Sequence, residues 1–259
     1  MIDFPDSATF AAALADRRIL TAAAVSALAG LVRGFSGFGG AMIYMPLIAA
    51  IYEPRIAAVT LLLVDFLSST PFAIPEFRRC TWREVLPISA AMAAAVPLGT
   101  WALIVLDPVV LRWAIALLVL SLVPVLASGW RYRGEPRLPI TLGIGLFAGV
   151  GAGAAQIAGP PVIVYWLSRG NSVATLRANL MVFFFFCGVA LVASYASQGL
   201  FTARTVTLSL LLGVPYLIGV GIGSRMFRGA SERSYRRIAY AIIALAALLS
   251  LPVLDPILR

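Results

Sequence analysis

Polar residues that could bind an anion lie within or beside long apolar stretches of this sequence. They are Arg33, Ser36, Asp65, Gln156 and Asn179. An ionised side chain inside a bilayer costs at least about 2.5–3.5 kcal/mol, so such residues usually have a function. We expect Arg33 to hold an oxyanion by charge-assisted hydrogen bonds, and Asp65 to accept a proton or to neutralise Arg33 in a structural ion pair. Ser36, Gln156 and Asn179 could donate to the same anion or satisfy backbone carbonyls, and Gln156 is the favoured ligand.

The residue types do not support catalysis. All twenty basic residues are Arg, and the absence of His and Lys removes the usual general bases and the commonest metal ligand. Gly34-Phe-Ser36-Gly37 matches the G-x-S-G pattern of intramembrane serine proteases, but Ser36 would have no base to activate it. Cys80 and Cys187 lack C-x-x-C spacing. We therefore predict a protein that is not an enzyme and that uses no metal or cofactor.

Two glycine-rich stretches adjoin these polar residues. The first has five glycines within eleven residues, among them Gly37, Gly39 and Gly40, and the second ends in Gly159-Pro160-Pro161. Glycine costs a helix about 1 kcal/mol per interior position, and proline lacks an amide hydrogen. We expect both helices to break, with the prolines causing the second break. The leg that follows each break would begin at Gly39–Gly40 or Gly159–Pro160 with N–H groups and a partial positive charge that suit an anion.

An alternative use of these glycines is close helix packing. Gly30/Gly34, Gly145/Gly149 and Gly219/Gly223 fit the small-xxx-small pattern of membrane helix interfaces. We favour packing for Gly219/Gly223 and breaks for the two clusters. A leg of about 12 residues rises only about 18 Å, so its tip would end near mid-membrane, where two tips could meet at one anion site.

The composition is that of an integral membrane protein. Of 259 residues, 61% are hydrophobic and only 12% are charged, with a mean hydropathy of +0.96. Polar residues separate eight hydrophobic segments, approximately 19–52, 56–76, 84–106, 109–129, 138–168, 173–197, 204–224 and 235–252. We predict an all-α polytopic membrane protein whose first and fifth segments are broken or re-entrant. The net charge of +9 suits anionic lipid headgroups rather than nucleic acid.

The two halves of the chain share a pattern of small residues. A shift of 119 residues lays Ala29, Gly30, Gly34 and Gly40 on Ala148, Gly149, Gly153 and Gly159. We therefore predict two four-segment repeats, residues 1–134 and 135–259, within one integrated transmembrane domain.

The distribution of Arg predicts the orientation. If the first and fifth segments return to the side they enter, thirteen Arg face one side and six the other, and the richer side is cytoplasmic. Each half then has three crossings and one hairpin, so the repeats are inverted and both termini are extracytoplasmic. The alternative is an eight-span bundle with two tilted segments, for which the split is an uninformative ten against nine. The N-terminal sequence does not predict a removable signal peptide.

The sequence resembles the TauE/SafE family of membrane transporters, also called sulfite exporters. The resemblance covers about residues 20–250 and rests on Leu-Ala-Gly-x-x-x-Gly-Phe-Ser-Gly-Phe-Gly-Gly at 28–40, on the Gly-Pro-Pro break at 159–161, and on the duplicated halves. It implies a multi-pass carrier of the bacterial inner membrane for small sulfur-containing anions such as sulfite, thiosulfate or organosulfonates. The site residues it implies are Gly34, Ser36, Gly37, Gly39, Gly40, Gly153, Gln156, Gly159 and Pro160. The chain departs from many relatives at Gly39-Gly40-Ala41 and at the bulky Phe183–Phe186.

The leading hypothesis is a secondary transporter, often an exporter in this family, that binds a small oxyanion mid-membrane and alternates access by rocking one half against the other. Its partners would be the anion and membrane lipids, with no nucleic acid, and a homo-oligomer is left open. A passive anion channel is the alternative. A non-transporting membrane scaffold is a third class, and it predicts that Arg33→Ala and Gln156→Ala leave function intact.

Overall fold

The chain is built from helices in the part that the computed structural model describes, residues 5–36, 39–128, 137–167, 172–226 and 232–255, and no strand occurs there. The helices are α1 (Ser7–Ala15), α2 (Arg18–Ser36), α3 (Gly40–Ile51), α4 (Pro54–Ala73), α5 (Trp82–Val105), α6 (Pro108–Ala127), α7 (Leu138–Ala155), α8 (Gly159–Leu167), α9 (Val173–Ser197), α10 (Ala203–Met226) and α11 (Glu232–Leu249). Two 3₁₀ helices cover Ile74–Arg78 and Pro252–Leu254. The predicted all-α class is confirmed.

Among the described residues, six helices are long and apolar enough to cross a membrane. They are α4 with the 3₁₀ turn that follows it, α5, α6, α7, α9 and α10. Their surfaces expose large apolar side chains such as Leu98, Trp101 and Val214, each more than 60% exposed. Such exposure suits a lipid-facing surface, and the prediction of a polytopic membrane protein is confirmed.

Packing divides the chain into two compact units. The first unit contains Met1–Val64, Leu106–Ala127 and Gly199–Arg259, and the second contains Asp65–Val105 and Ser128–Gln198. Each unit therefore draws on both halves of the sequence. The repeats at 1–134 and 135–259 stay a prediction.

In the first unit, α2 and α3 form a helical hairpin. The guanidinium of Arg18, at the start of α2, lies 5.0 Å from the ring centroid of Tyr52 and donates a 3.5 Å hydrogen bond to the Ile51 carbonyl at the end of α3. Arg18 also pairs with Asp16 at 3.0 Å, and this hydrogen bonding lowers the pKa of the Asp16 carboxyl. The first hydrophobic segment thus returns towards the end at which it starts and is not a single tilted rod. Its path relative to the membrane stays a prediction.

Glycines hold α2 against α10 in the first unit. An added Cβ would lie 2.1 Å from the Tyr216 carbonyl oxygen at Gly30, and 2.1 Å from the Val220 carbonyl oxygen at Gly34. Gly219 on α10 faces α2 in the same way. The packing role predicted for Gly219 is confirmed. Gly30 and Gly34, which we expected to weaken the helix, lie inside α2 and let the two backbones touch.

A buried ion pair ties the C-terminal turn to α6 in the same unit. Arg112 is 6% exposed, and its two terminal nitrogens each donate to one oxygen of Asp255 at 2.7 Å. One of them also donates to the Ser250 carbonyl at 3.0 Å. This bidentate pair joins the start of α6 to the residues that follow α11.

In the second unit, α7 and α8 form another helical hairpin. The hydroxyls of Thr141, near the start of α7, and Tyr165, near the end of α8, are hydrogen bonded. The fifth hydrophobic segment therefore also returns towards its starting end. The break predicted in each long segment is confirmed.

Glycines also hold α7 against α5. Added Cβ atoms would lie 2.2 Å from the Met92 carbonyl oxygen at Gly149 and 2.3 Å from the Val96 carbonyl oxygen at Gly153. Gly99 on α5 faces α7 in turn. Each hairpin is thus anchored by its long first leg, α2 or α7, while the second leg is shorter.

Candidate functional site

The first break is a left-handed turn at glycine. Helix α2 ends at Ser36 and α3 begins at Gly40, with Gly39 at φ 92°. Only glycine adopts this conformation without strain. Gly39, the N-cap residue of α3, has no side chain with which to cap the helix. The first N–H groups of a helix have no partner within the helix, so this end presents donors and a partial positive charge.

Gly40 lies in a narrow space between α2 and α10. An added Cβ there would lie 2.9 Å from the Arg33 Cβ and 3.1 Å from the Tyr216 hydroxyl oxygen. Tyr216 is fully buried and is the fourteenth of the 24 residues of α10. The N-terminus of α3 therefore lies beside the middle of a long helix, next to the last turn of α2.

Arg33 is half-buried in that last turn. Its Cβ lies directly beside Gly40 at the start of α3. Its role as an anion ligand stays a prediction. Ser36 ends α2, but its side chain and all of Gly37 lie outside the described residues. Their proposed contacts with an anion stay predictions.

The second break is a left-handed turn at Gln156. Its φ is 59°, its N–H donates to the Ala152 carbonyl at 2.8 Å, and the Ile157 N–H donates to the Gly151 carbonyl at 3.1 Å. This pattern usually ends a helix at glycine. The turn lies four residues before Pro160, and Pro160 and Pro161 lie in the first turn of α8. Proline is well suited to that position because it needs no hydrogen-bond partner there. That the prolines cause the break stays a prediction.

The N-terminus of α8 also lies beside the middle of a long helix. An added Cβ at Gly159 would lie 3.0 Å from the ring of Phe184, the twelfth of the 25 residues of α9. Gly159 and Pro160 are buried. Because Pro160 and Pro161 have no N–H, this helix end offers fewer backbone donors than the N-terminus of α3 does.

The side chain of Gln156 is held by a tyrosine that the sequence did not single out. Tyr195 of α9 is fully buried, its hydroxyl donates to the Gly153 carbonyl at 2.9 Å, and Gln156 is its second hydrogen-bonding partner. Tyr216 was missed in the same way at the first break. The available signal was a tyrosine within an otherwise apolar membrane helix, where its hydroxyl must find a partner.

Asn179 is fully buried where α5 and α9 begin. Its side-chain oxygen accepts from the Thr81 N–H at 2.8 Å, and its side-chain nitrogen donates to Glu84 at 3.2 Å. These contacts give Asn179 a structural use, since they join the start of α5 to α9.

Asp65 is half-buried on α4. It lies close enough to Cys187 of α9 to interact with it electrostatically. On the next residue, the Phe66 ring packs directly on Gly188, where an added Cβ would lie 2.1 Å from it. The predicted Arg33–Asp65 ion pair and the single anion shared by both breaks stay predictions.

The described residues hold no group of three or more His, Cys, Asp or Glu that could bind a metal ion. What each unit does offer is a helix N-terminus at a break, with a polar side chain next to it: Arg33 in the first unit and Gln156 in the second. These are hydrogen-bond donors, and they suit an anion.

The chain matches the model of a known protein family. A family model described as "Sulfite exporter TauE/SafE" matches residues 22–250 of the chain. Searches of curated proteins and of solved structures each returned no match. The matched region contains both breaks and every helix from α3 to α11.

Proposed function

The chain belongs to the TauE/SafE sulfite exporter family, and from this premise we propose that it is a secondary transporter that exports small sulfur-containing anions by alternating access. Candidate cargoes are sulfite, thiosulfate and organosulfonates. Family membership and the six apolar helices make the protein a multi-pass membrane protein of an exporter family. The cargo, the transport cycle and the bacterial inner membrane as its location belong to the proposal.

The observation that carries the proposal is the N-terminus of α3. It begins after a left-handed glycine and lies beside the middle of α10. Arg33, in the last turn of α2, lies next to it. An oxyanion has several acceptor oxygens and a negative charge. Helix N–H groups and a guanidinium complement both, and in a medium without water they have few competing partners.

The other proposed ligands follow from the second break and the family motif. Gln156 would donate its amide N–H to the anion, which compensates for the backbone donors that Pro160 and Pro161 lack. Gly159 would leave room at the start of α8. Ser36 and Gly37 are proposed on the family motif alone. Asn179 would support the α5–α9 contact, and Asp65 would take up a proton during the transport cycle.

Binding and transport are tested separately. Purified protein is unfolded thermally with sulfite, thiosulfate, sulfate or an alkylsulfonate, and a cargo at 100 times its Kd should add about 2.7 kcal/mol of stability. Proteoliposomes loaded with unlabelled cargo should then accumulate labelled cargo by counterflow.

Two outcomes would contradict the proposal. Single-channel currents beyond carrier rates, without counterflow, would identify the passive channel. No thermal shift and no flux with any of the four anions would remove the anion-transport function altogether.

A further inference from the structure

Tyr195 occupies the end of α9 that meets the second break. It is fully buried, two residues before the end of α9, and packs where α7 ends. Its hydroxyl has two partners from one short stretch of chain, the Gly153 carbonyl at 2.9 Å and the Gln156 side chain.

The first partner is a carbonyl that the helix cannot satisfy. The last carbonyls of a helix lack intrahelical N–H partners, and in lipid no water replaces them. In α7, the Gly151 and Ala152 carbonyls accept from the Ile157 and Gln156 N–H groups. The Gly153 carbonyl accepts from Tyr195, so this hydroxyl satisfies one of the last carbonyls of α7.

The second partner is fixed in orientation by the first. A hydroxyl has one hydrogen, and the Gly153 carbonyl takes it. Tyr195 can therefore only accept from Gln156, which must present its amide nitrogen to the tyrosine. One hydroxyl thus sets both the backbone turn and the direction of the Gln156 amide.

We propose that Tyr195 is a positioning residue for anion recognition, acting through Gln156. The inference rests on the proposed function, in which Gln156 is a ligand. The left-handed backbone at Gln156 persists only where its surroundings hold it, and Tyr195 bonds to the Gly153 carbonyl just before that turn and to the Gln156 side chain at the turn. The ring of Tyr195 fills buried space, and its hydroxyl fixes the orientation of the Gln156 amide that would bind the anion.

The test compares two buried tyrosines of the same hairpin. Tyr195→Phe removes the hydroxyl at the break, and Tyr165→Phe removes the hydroxyl that bonds to Thr141 at the other end. Both tyrosines are at most 1% exposed, so each variant removes one buried hydroxyl and its hydrogen bond. We expect Tyr195→Phe to raise the half-saturation concentration for cargo about five- to tenfold, the loss that one neutral hydrogen bond accounts for, with the maximal rate nearly unchanged. Tyr165→Phe should lower thermal stability and leave the half-saturation concentration as in the parent.

A double-mutant cycle with Gln156→Ala shows whether the effect runs through the amide. If Tyr195 acts by positioning Gln156, the double variant should bind cargo no more weakly than Gln156→Ala alone. Full additivity, or an unchanged half-saturation concentration in Tyr195→Phe, would overturn the inference. These outcomes are read in proteoliposomes where the parent protein transports, so they are distinct from the parent's failure to transport, which would overturn the proposed function.

Discussion

Gln156 has the one left-handed backbone at a residue other than glycine in the described part of the chain. Such a conformation costs roughly 1–3 kcal/mol and is found where the surroundings enforce it. A helix end of this kind normally has glycine, which would avoid the cost. The glutamine side chain is therefore retained at the expense of stability, which is the pattern expected of a residue with a function.

Substitutions at Gln156 separate its backbone from its side chain. Gln156→Gly relieves the strain, while Gln156→Ala keeps it, so we expect the Gly variant to be about 1 kcal/mol more stable than the Ala variant. Both lose the amide, and both should bind cargo more weakly. Thermal unfolding and cargo titration measure the two effects. Equal stability of the variants would contradict the strain, and parental affinity in either would remove Gln156 from the site.

Arg33 tests the charge at the first break. A hydrogen bond to a charged group contributes about 1.5–3 kcal/mol, so Arg33→Ala should weaken cargo binding at least about tenfold. Arg33→Lys should bind cargo more weakly than the parent protein and more tightly than Arg33→Ala, because lysine keeps the charge but lacks the planar set of N–H donors of arginine. The control is Arg83→Ala, an exposed arginine in the first turn of α5, which should bind as the parent does. Parental binding by Arg33→Ala would exclude it as a ligand.

At the scale of the elements, glycine divides into two uses. Within α2, α7, α5 and α10 it lets helix backbones touch, as at Gly30 against Tyr216 and Gly149 against Met92. Without a hydrophobic driving force between helices in lipid, such close packing is a main source of association. At the break, Gly39 is used for its left-handed backbone instead. Glycine therefore packs the long leg of the first hairpin, α2, against α10, and also allows the chain to turn between α2 and the short leg, α3.

Two glycines of α10, two residues apart, test the packing. An added Cβ at Gly219 would lie 2.2 Å from the Ala27 carbonyl oxygen, whereas nothing lies within 4 Å at Gly221. We expect Gly219→Ala to destabilise the protein by about 1–3 kcal/mol, as overpacking does. Gly221→Ala should be neutral or stabilise by up to about 1 kcal/mol, since alanine favours the helix. The measurement is the unfolding free energy of Gly219→Ala and Gly221→Ala in the same detergent. Equal stability of the two variants would contradict the α2–α10 contact.

For the whole molecule, contacts between helix ends agree with the re-entrant topology in each unit taken by itself. In the first unit, Arg18 meets the Ile51 carbonyl, and Arg112 at the start of α6 binds Asp255 after α11. In the second, the Asn179 side chain joins the start of α9 to the start of α5. Each contact joins ends that this topology assigns to the same side of the membrane.

Accessibility of single cysteines tests that topology. In a background with Cys80→Ser and Cys187→Ala, Arg17→Cys and Glu53→Cys flank the first hairpin and should both react with an impermeant maleimide from outside the cell. Arg83→Cys should react only in inverted vesicles, because the side rich in Arg is cytoplasmic. Reaction of Arg17→Cys and Glu53→Cys from opposite sides would show that the first segment crosses the membrane.

The sequence by itself determined that the protein lies in lipid, that its fold is helical, and approximately where the two breaks lie. The high apolar content shows that lipid surrounds the protein. In lipid the backbone must satisfy its own hydrogen bonds, and long apolar segments do so as helices. Local rules for glycine were enough to place the first break near Gly39–Gly40, and local rules for proline placed the second near Gly159–Pro160, three to four residues after Gln156. Membership of the family could also be predicted from the sequence, because each glycine motif is a contiguous stretch of the chain.

The tertiary structure decided what contiguous sequence does not contain. Whether Gly30 weakens α2 or packs it depends on the Tyr216 carbonyl, which lies 186 residues further along the chain. At the second break, the Gly153 carbonyl near the end of α7 accepts from the hydroxyl of Tyr195, which lies 42 residues further along the chain. Local propensity gives only a weak preference between such conformations, and a packed partner that satisfies a backbone group in lipid outweighs it.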